Sequence, residues 1–453
     1  MKSSKTIGIF HYQLGLTDGV SLEVDKWKTV LEKMGHRVLL CAGRLGNQDG
    51  ILLPELYHHR PEIELVNQNI LGQRDDLTSD ALQKRINDQT GILENALRDI
   101  IISDEIDILL VNNIWSVAMN IPAAVALEKV RQALGIRAIA HHHDFYWERK
   151  LNPKLGSPEI NNIHEGFLPP KDPNIDHIVI NSIAQLSLEK FKGLSSKIIP
   201  NVFDFDGPDW VVDDYNQDLR QAIGLDAGDI CVLQATRIIP RKGIELAIDA
   251  VKALNEPGRR AILQARGLYD GRAFKEKNKI VLVLAGYDRD DPTGVYLQKL
   301  KTKAKDLGVD LRHIDSIIGP ERCTDAGSKT YALWDTYAVA DFVTYPSLWE
   351  GWGNQLLEAF RAKLPILMFE YPVYLQDIKD RGFDVISLGS QITGRDQRDL
   401  VQVPDAIIQQ AADHFVTYLT SRSAREEMVN KNFNIAESHY SYKVLESQLN
   451  ELL

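Results

Sequence analysis

The chain has 453 residues, enough for two ordinary domains, and its hydrophobic and charged fractions of 44% and 25% are typical of a soluble globular protein. The net charge of −11 gives no support to a nucleic-acid partner, because nucleic acids bind basic surfaces. Three scattered cysteines form no metal or redox spacing, and no apolar run is long enough to span a bilayer. The sequence starts with a short polar stretch and no signal peptide, so we predict a cytoplasmic enzyme.

The first half of the chain alternates short apolar runs with amphipathic ones. Residues 6–10 and 37–41 are predicted strands, and residues 20–34 between them are a predicted helix. This βαβ order favours a parallel sheet. The loop after the first strand lacks the G-x-G-x-x-G spacing of a dinucleotide site, which disfavours a nicotinamide dehydrogenase.

Further strands and helices are predicted along this half, separated by two irregular stretches. Residues 46–90 are polar and irregular, and periodicity does not resolve their structure. Residues 150–176 are rich in proline, asparagine and glycine, so we predict that they form a long loop. The predicted strands are 106–113, 137–140 and 177–182, and the predicted helices are 92–102, 117–134 and a helix starting at 183.

Three consecutive histidines, His141 to His143, follow the predicted strand at 137–140. Adjacent strand residues point to opposite faces, so the three imidazoles cannot all converge on one metal ion. We therefore predict no zinc site here. The pattern favours a strand end that presents one imidazole and one carboxylate to a ligand.

The second half repeats the alternating pattern after an acidic linker at 204–218. The predicted strands are 230–236, 279–287, 342–345, 364–369 and 384–388. The predicted helices are one starting at 244, then 296–307, 330–339, 356–362, 406–420, 424–433 and 441–453. The two halves predict two α/β domains rather than one.

Two basic residues, Arg237 and Lys242, come directly after the predicted strand at 230–236. Two cations at a strand end can offset the charge that builds on a leaving diphosphate. The alternative is a basic turn on the surface, and we expect Arg241, which lies between the two residues, to be solvated.

The most informative stretch runs from Pro346 to Glu358 and contains Leu-Trp-Glu-Gly-Trp-Gly-Asn. It follows a strand-like run and leads into a helix-like one. The glycines let backbone amides approach a ligand closely, and an open helix N-terminus favours an anion. Glu350 and Glu358, with seven residues between them, flank this turn and are suited to accept hydrogen bonds from sugar and ribose hydroxyls.

These stretches together resemble the retaining nucleotide-sugar glycosyltransferases of glycosyltransferase family 4, whose signature is Glu-x7-Glu. Arg237 and Lys242 resemble the Arg-x4-Lys pair of that family, and the likeness is strongest over 230–369. The resemblance implies the GT-B fold, in which two doubly wound parallel-sheet (Rossmann-like) domains face each other across a cleft. It implies an acceptor-side domain at 1–205, a nucleotide-sugar domain at 206–432 and a C-terminal helix at 433–453 that crosses back to the first domain.

The resemblance also implies a role for individual residues. The implied catalytic residues are His143 beside the donor sugar (with His142 as the alternate register), Glu350 on the sugar hydroxyls, and Arg237 with Lys242 on the diphosphate. The implied donor-binding residues are Gly19, Arg237, Lys242, Gly286, Ile318, Glu350, Gly351, Trp352, Gly353, Asn354 and Glu358, the last on the ribose. The implied acceptor-binding residues are His142, Asp144, Tyr146 and Arg149, and capping of a loop is the alternative role for Arg149.

The implied reaction is retaining transfer of a hexosyl group from a UDP-glucose-like or GDP-mannose-like donor to a hydroxyl of a small polar acceptor, such as a sugar, a glycerate derivative or a sugar phosphate. We expect no cofactor and no metal, because side-chain cations suffice for the diphosphate and no Asp-x-Asp signature stands where a metal-dependent transferase needs one. The expected partners are the donor and a small polar or anionic acceptor, with no nucleic acid and no membrane span. A homo-oligomer is left open.

Three other classes of protein are weighed against this one. A GT-B epimerase fits the same pattern, whereas a phosphorylase needs pyridoxal phosphate on a lysine for which no clear site is found. A two-domain sugar-binding protein is disfavoured by the missing export signal and does not require Arg237 with Lys242. Many members of the resembled family carry Gly-Gly-x-x-Glu where this chain reads Glu-Tyr-Pro-Val-Tyr at 370–374. This departure leaves the donor sugar and its nucleotide unassigned.

Overall fold

A computed structural model describes residues 4–16, 18–70, 74, 76–149, 158–325 and 327–453. The chain divides into two compact units. The first, here the N-terminal unit, comprises Met1–Val202 and Tyr442–Leu453, and the second, the C-terminal unit, comprises Phe203–Ser441. Each unit is built on its own parallel sheet with helices packed against it, so the predicted fold class of two doubly wound parallel-sheet domains is confirmed.

The sheet of the N-terminal unit has the strand order β3-β2-β1-β4-β5-β6-β7, and all its neighbours run parallel. Its central strands are apolar on both faces because helices cover both: Leu109 packs into one core cluster and Leu110 into the other. The strands are β1 Thr6–His11, β2 Arg37–Ala42, β3 Ile51–Leu52, β4 Ile108–Asn112, β5 Arg137–His142, β6 Ile175–Val179 and β7 Lys197–Ile198.

The helices of this unit include two stretches that were not predicted to be helical. Residues 46–90, whose structure periodicity does not resolve, contain all of α2 and about the first half of α3, and the buried Leu82, Ile86 and Leu93 of α3 recur at helical spacing. The predicted loop at 150–176 contains α5, and its residues 150–157 lie outside the described part of the chain. The helices are α1 Gly19–Lys33, α2 Pro61–Ile70, α3 Ser79–Ser103, α4 Ile121–Leu134, α5 Pro158–Phe167 and α6 Ser182–Lys192.

The C-terminal unit has a parallel sheet of strand order β10-β9-β8-β14-β15-β16, together with two small additional sheets. Residues 330–332, predicted to be helical, belong to strand β13 of one small sheet. The strands of this unit are β8 Ile230–Gln234, β9 Ile280–Leu284, β10 Asp310–His313, β11 Ile318–Gly319, β12 Cys323–Asp325, β13 Ser328–Ala332, β14 Phe342–Tyr345, β15 Ile366–Met368, β16 Ile386–Ser387, β17 Gly394–Arg395 and β18 Val401–Gln402.

Four helices of the C-terminal unit pack on its main sheet through one large core cluster that contains Leu246, Leu282 and Phe415. Sequence periodicity missed α9, which has a single buried apolar residue, Leu263. The helices are α7 Leu219–Ala222, α8 Ile244–Leu254, α9 Pro257–Arg266, α10 Val295–Asp306, α11 Leu333–Val339, α12 Asn354–Arg361, α13 Asp405–Thr420 and α14 Arg422–Tyr440.

The last helix, α15 Tyr442–Leu452, belongs to the N-terminal unit. Its Leu445 and Leu449 are fully buried in the same core cluster as Trp27 of α1. The chain leaves α14 at Ser441, so the final segment of the N-terminal unit starts at Tyr442 rather than at residue 433. Among the described residues, no helix combines the length and the apolar character needed to cross a bilayer.

Each main sheet reverses its strand order once. The reversal lies between β1 and β4 in the N-terminal unit and between β8 and β14 in the C-terminal unit. In open parallel sheets, ligands bind outside the carboxyl ends of the strands at such a switch point. The residues that follow β8 and β14 are therefore the first place to look for a ligand site in the C-terminal unit.

Candidate active site

The loops that follow β8 and β14 contact each other at the switch point of the C-terminal unit. The backbone N–H of Leu348 donates to the carbonyl of Arg241 at 2.8 Å. Gly243 has a φ of +57°, and a Cβ added there would lie 2.4 Å from the carbonyl oxygen of Pro346. Only glycine fits this close approach, which holds the basic loop and the acidic loop together.

Glu350 is bound by two cations of the neighbouring loop. Lys242 Nζ pairs with its Oε1, and Arg241 Nη1 donates to its Oε2 at 2.8 Å. Burial opposes the charge on Glu350, but Lys242 and Arg241 together lower its pKa to about 2. The carboxylate is therefore ionised at neutral pH, and its two oxygens already carry hydrogen bonds from cations.

Arg241 is a site residue whose role was predicted wrongly. The sequence predicts that it is solvated, whereas the structure places it on Glu350 and on the carbonyl of Trp349, at 2.9 Å. Its guanidinium also lies 5.9 Å from the centre of the Trp349 ring. Arg241 thus links the turn that contains Trp349 and Glu350 to the loop that follows β8.

Glu358 lies one turn into α12, on a buried face of that helix. The hydroxyl of Tyr337 in α11 donates to Glu358 Oε2 at 2.7 Å, and the carboxyl group is 6% exposed. Carboxylate oxygens accept hydrogen bonds from hydroxyl groups, as Glu358 does from Tyr337. The geometry is compatible with the predicted contact to a ribose.

Arg237 is held by a residue that the sequence did not single out. Its guanidinium pairs with Asp290, in the turn that follows β9. Burial disfavours the charge on Arg237, but Tyr287 and Asp290 outweigh it and raise its pKa, so the cation persists. A ligand anion that binds this guanidinium through Nη1 would compete with the Asp290 carboxylate.

The remaining predicted donor residues of this unit lie in the turn after β9, in the small sheet that contains β11, and in the loop after β14. A Cβ added at Gly286 would lie 1.8 Å from the carbonyl oxygen of Thr236. The close approach of the turn after β9 to the turn after β8 therefore requires glycine at this position. Ile318 is half-buried in β11, which pairs with β13. The donor loop, defined here as residues 350–354, contains the predicted Gly351, Trp352, Gly353 and Asn354 and leads into α12.

The predicted residues of the N-terminal unit lie at the carboxyl ends of its strands. Gly19 begins α1, and the Asp18 side chain caps that helix by accepting from Val20 N and Ser21 N, both at 3.1 Å. The backbone N–H of His143 donates to Asn113 Oδ1 at 2.8 Å, which fixes the chain where β5 ends. Asp144 is half-buried beside it.

His142 points to the opposite face of the sheet from His141 and His143. The rings of His141 and His143 lie 4.3 Å apart, whereas His142 Nε2 lies 3.0 Å from His177 Nδ1 and is fully buried. Since the two imidazoles lie on opposite faces of the sheet, at most one of them can face the donor, and the assignment of that role to His143 stays a prediction. His142, a predicted acceptor residue, instead packs against Phe145, at 5.2 Å between ring centres.

The other predicted acceptor residues lie in the turn after β5. Tyr146 is half-buried, and its backbone N–H donates to Ser116 O at 2.7 Å. Its ring meets the imidazole of His164 edge to face, with 5.2 Å between ring centres. The side chain of Arg149 lies outside the described residues, so its predicted contact with an acceptor stays a prediction.

His143 is expected to be neutral at physiological pH. Burial, the largest effect, lowers its pKa from 6.5 to about 4, although Asp144 raises it in part. Its folded pKa is below the unfolded value, so protonation opposes the folded state as the pH falls below 6.5. We expect proton NMR of the imidazoles, assigned with a His143→Gln variant, to give a midpoint near 4 for His143. A midpoint at the ordinary histidine value would contradict this environment.

Solved structures define the class of protein to which this fold belongs. The chain is similar over 99% of its length to sucrose-phosphate synthase from Thermosynechococcus elongatus, with a TM-score of 0.61, 12% identity and 98% of that chain covered. At this identity the likeness shows the fold alone, and that fold is the two-domain GT-B fold of glycosyltransferases.

Comparison of sequences identifies the family. Residues 216–387 match the family described as glycosyl transferases group 1. The chain is 37% identical over 438 residues to mannosylglucosylglycerate synthase from Petrotoga mobilis, covering 97% of this chain and 99% of that protein. It is 36% identical over 449 residues to the synthase of the same name from Thermotoga maritima, covering 98% of both. The chain therefore belongs to the same family as these two synthases, and it contains a glycosyl transferases group 1 domain at 216–387.

Proposed function

We propose that this protein transfers a mannosyl group from nucleotide-activated mannose to glucosylglycerate, with retention of configuration at the anomeric carbon. The observation that carries the proposal is the match along nearly the whole chain to two synthases whose name describes a product with mannosyl, glucosyl and glycerate parts. The acceptor agrees with the predicted glycerate derivative. The donor is the second of the two that the sequence left open.

The C-terminal unit supplies the donor site in this proposal. Arg237 and Lys242 follow β8, and Glu350 and the first turn of α12 follow β14, at the switch point where parallel sheets bind ligands. The two cations take the diphosphate, Glu358 takes the ribose, and Glu350 takes sugar hydroxyls. Because Glu350 already accepts from Lys242 and Arg241, it also fixes the Lys242 ammonium beside the leaving group.

The reaction we propose needs no protein nucleophile. The bond from the anomeric carbon to the diphosphate oxygen breaks, and the acceptor hydroxyl attacks from the same face. The proton of that hydroxyl goes to the leaving diphosphate oxygen, so charge develops where Arg237 and Lys242 stabilise it. His143 enters as a neutral imidazole that hydrogen-bonds a sugar hydroxyl, in keeping with its lowered pKa.

A panel of donors and acceptors tests this function. Purified protein is incubated with GDP-mannose or UDP-glucose, each with glucosylglycerate, glycerate or glucose, and the products are followed by mass spectrometry. We expect one mannosyl addition to glucosylglycerate, and an α configuration in the one-bond C1–H1 coupling of the product. Release of nucleotide without transfer, isomerisation of the donor, or transfer dependent on inorganic phosphate would each replace the proposal with another function.

We also propose that transfer requires no divalent metal, because side-chain cations already face the diphosphate position. Activity is expected to persist after dialysis against EDTA. The turn after β9 carries Asp288 and Asp290 two positions apart, and Asp290 pairs with Arg237. Loss of turnover in EDTA that magnesium or manganese restores would contradict metal independence, and these two carboxylates would then be the first ligands to test.

A further inference from the structure

The segment after β15 departs from the resembled family at Tyr371, and this side chain is built into the donor loop. Many family members have glycine in this segment, whereas here the Tyr371 hydroxyl donates to the carbonyl of Trp352 at 2.8 Å. Tyr371 is fully buried, and its ring meets that of Tyr345, the last residue of β14, edge to face at 5.9 Å. The hydroxyl therefore reaches the donor loop from a fixed position.

Gly353 shows how closely the tyrosine fits. It has a φ of +121°, and a Cβ added there would lie 2.1 Å from the Tyr371 hydroxyl oxygen. A side chain is therefore excluded at Gly353 both by its backbone conformation and by the tyrosine. Gly353, the Trp352 carbonyl and the Tyr371 hydroxyl therefore lie in close contact immediately before α12.

Trp352 is held at its ring as well as at its carbonyl. The indole is 4% exposed and packs edge to face on Tyr440, with 5.3 Å between ring centres. The peptide between Trp352 and Gly353 is thus fixed on both sides. This peptide sets the direction in which α12 starts, and so the direction of its first amides.

We propose that Tyr371 is a positioning residue for the donor: its hydrogen bond to Trp352 orients the N-terminus of α12 toward the nucleotide sugar. This inference rests on the proposed function, because it assigns the donor to that helix start. Tyr371 itself touches no substrate in this account. Burial and the Glu350 charge raise the pKa of Tyr371 well above its usual value, so the hydroxyl stays a donor at all working pH values.

The test is a Tyr371→Phe variant, which removes one hydroxyl and keeps the ring. The loss of a hydrogen bond that leaves a buried carbonyl without its partner corresponds to a change of about tenfold in an equilibrium constant. We expect the KM for the nucleotide sugar and the dissociation constant of the free nucleotide diphosphate to rise by about that factor. The KM for the acceptor and kcat are expected to stay within about twofold, because the diphosphate cations are untouched.

Tyr374 provides a matched control. It is buried three positions further along the chain, its ring centre lies 6.0 Å from that of Tyr371, and its hydroxyl does not bond the donor loop in the described structure. Tyr374→Phe is expected to leave nucleotide affinity unchanged. Thermal unfolding of both variants separates a loss of fold from a change at the site.

Titration calorimetry with GDP and UDP distinguishes failure of the proposed function from failure of the positioning role of Tyr371. If the wild-type protein binds neither nucleotide, the proposed function fails. If the wild type binds one of them and Tyr371→Phe binds it equally well, the positioning role is overturned while the function stands. Equal weakening in Tyr371→Phe and Tyr374→Phe would also overturn it, because the effect would then belong to packing of the segment.

Discussion

Replacing Glu350 by glutamine is expected to lower sugar transfer by about 100-fold to 1,000-fold. Glutamine keeps the shape of the side chain but removes the charge that pairs with Lys242 and Arg241. The ammonium of Lys242, which is 4% exposed, then loses its counter-ion, and its pKa falls further. The measurement is the steady-state rate with saturating donor and acceptor.

The same variant is expected to unfold more easily. Removing one partner of a buried ion pair leaves an uncompensated charge, which lowers the free energy of unfolding by about 3 kcal/mol. Glu426→Gln, on the exposed face of α14, is the matched control and should change neither rate nor stability. Transfer at the wild-type rate in Glu350→Gln would show that the Glu350 charge has no role in the proposed site.

The pH dependence of the Glu350 pair follows from its lowered pKa. The folded value of about 2 is below the ordinary value of 4.5, so the stabilisation by this pair is fully present above 4.5 and is lost as the pH falls toward 2. Protonation of Glu350 should therefore not limit the rate between about pH 5 and 8.

Replacing Arg237 by alanine is expected to reduce kcat by about 100-fold, because one of the two cations that we propose to face the leaving diphosphate is lost. Arg237→Lys keeps the charge but not the planar fork, and we expect it to recover part of the rate. The measurement is single-turnover transfer, which isolates the chemical step from nucleotide release.

Arg289 is the matched control for Arg237. It lies in the same turn as Asp290, is exposed, and its guanidinium is 6.0 Å from the centre of the Tyr287 ring. Arg289→Ala should leave the rate unchanged. If Arg237→Ala and Arg289→Ala lose activity equally, general positive charge rather than the Arg237 position would explain the loss.

The sheets were predictable because their strands are short apolar runs with polar ends. Residues 280–284 and 342–345 carry this signal and lie in the strands β9 and β14. α9 and α5 were not predictable, because α9 buries one apolar residue and α5 lies in a stretch rich in turn-forming residues. Single-sequence prediction of a buried helix depends on several apolar residues at helical spacing, and α9 buries only one.

The residues of the candidate site also divide into those that the sequence predicts and those that it does not. The sequence predicts roles for Glu350, Glu358, Arg237 and Lys242 because they stand at the fixed spacings of the resembled family. Arg241 was missed because its partner Glu350 is 109 residues away in the sequence. Tyr371 and Asp290 were missed for the same reason, since their contacts depend on which strands are neighbours, and sequence spacing does not encode that.

A crystal structure of the full chain with a bound nucleotide sugar tests the central claim most directly. We expect the diphosphate oxygens within hydrogen-bonding distance of Arg237 and Lys242, the ribose hydroxyls on Glu358, and Asp290 displaced from Arg237. A nucleotide bound elsewhere, with the Asp290 contact to Arg237 intact, would contradict the account.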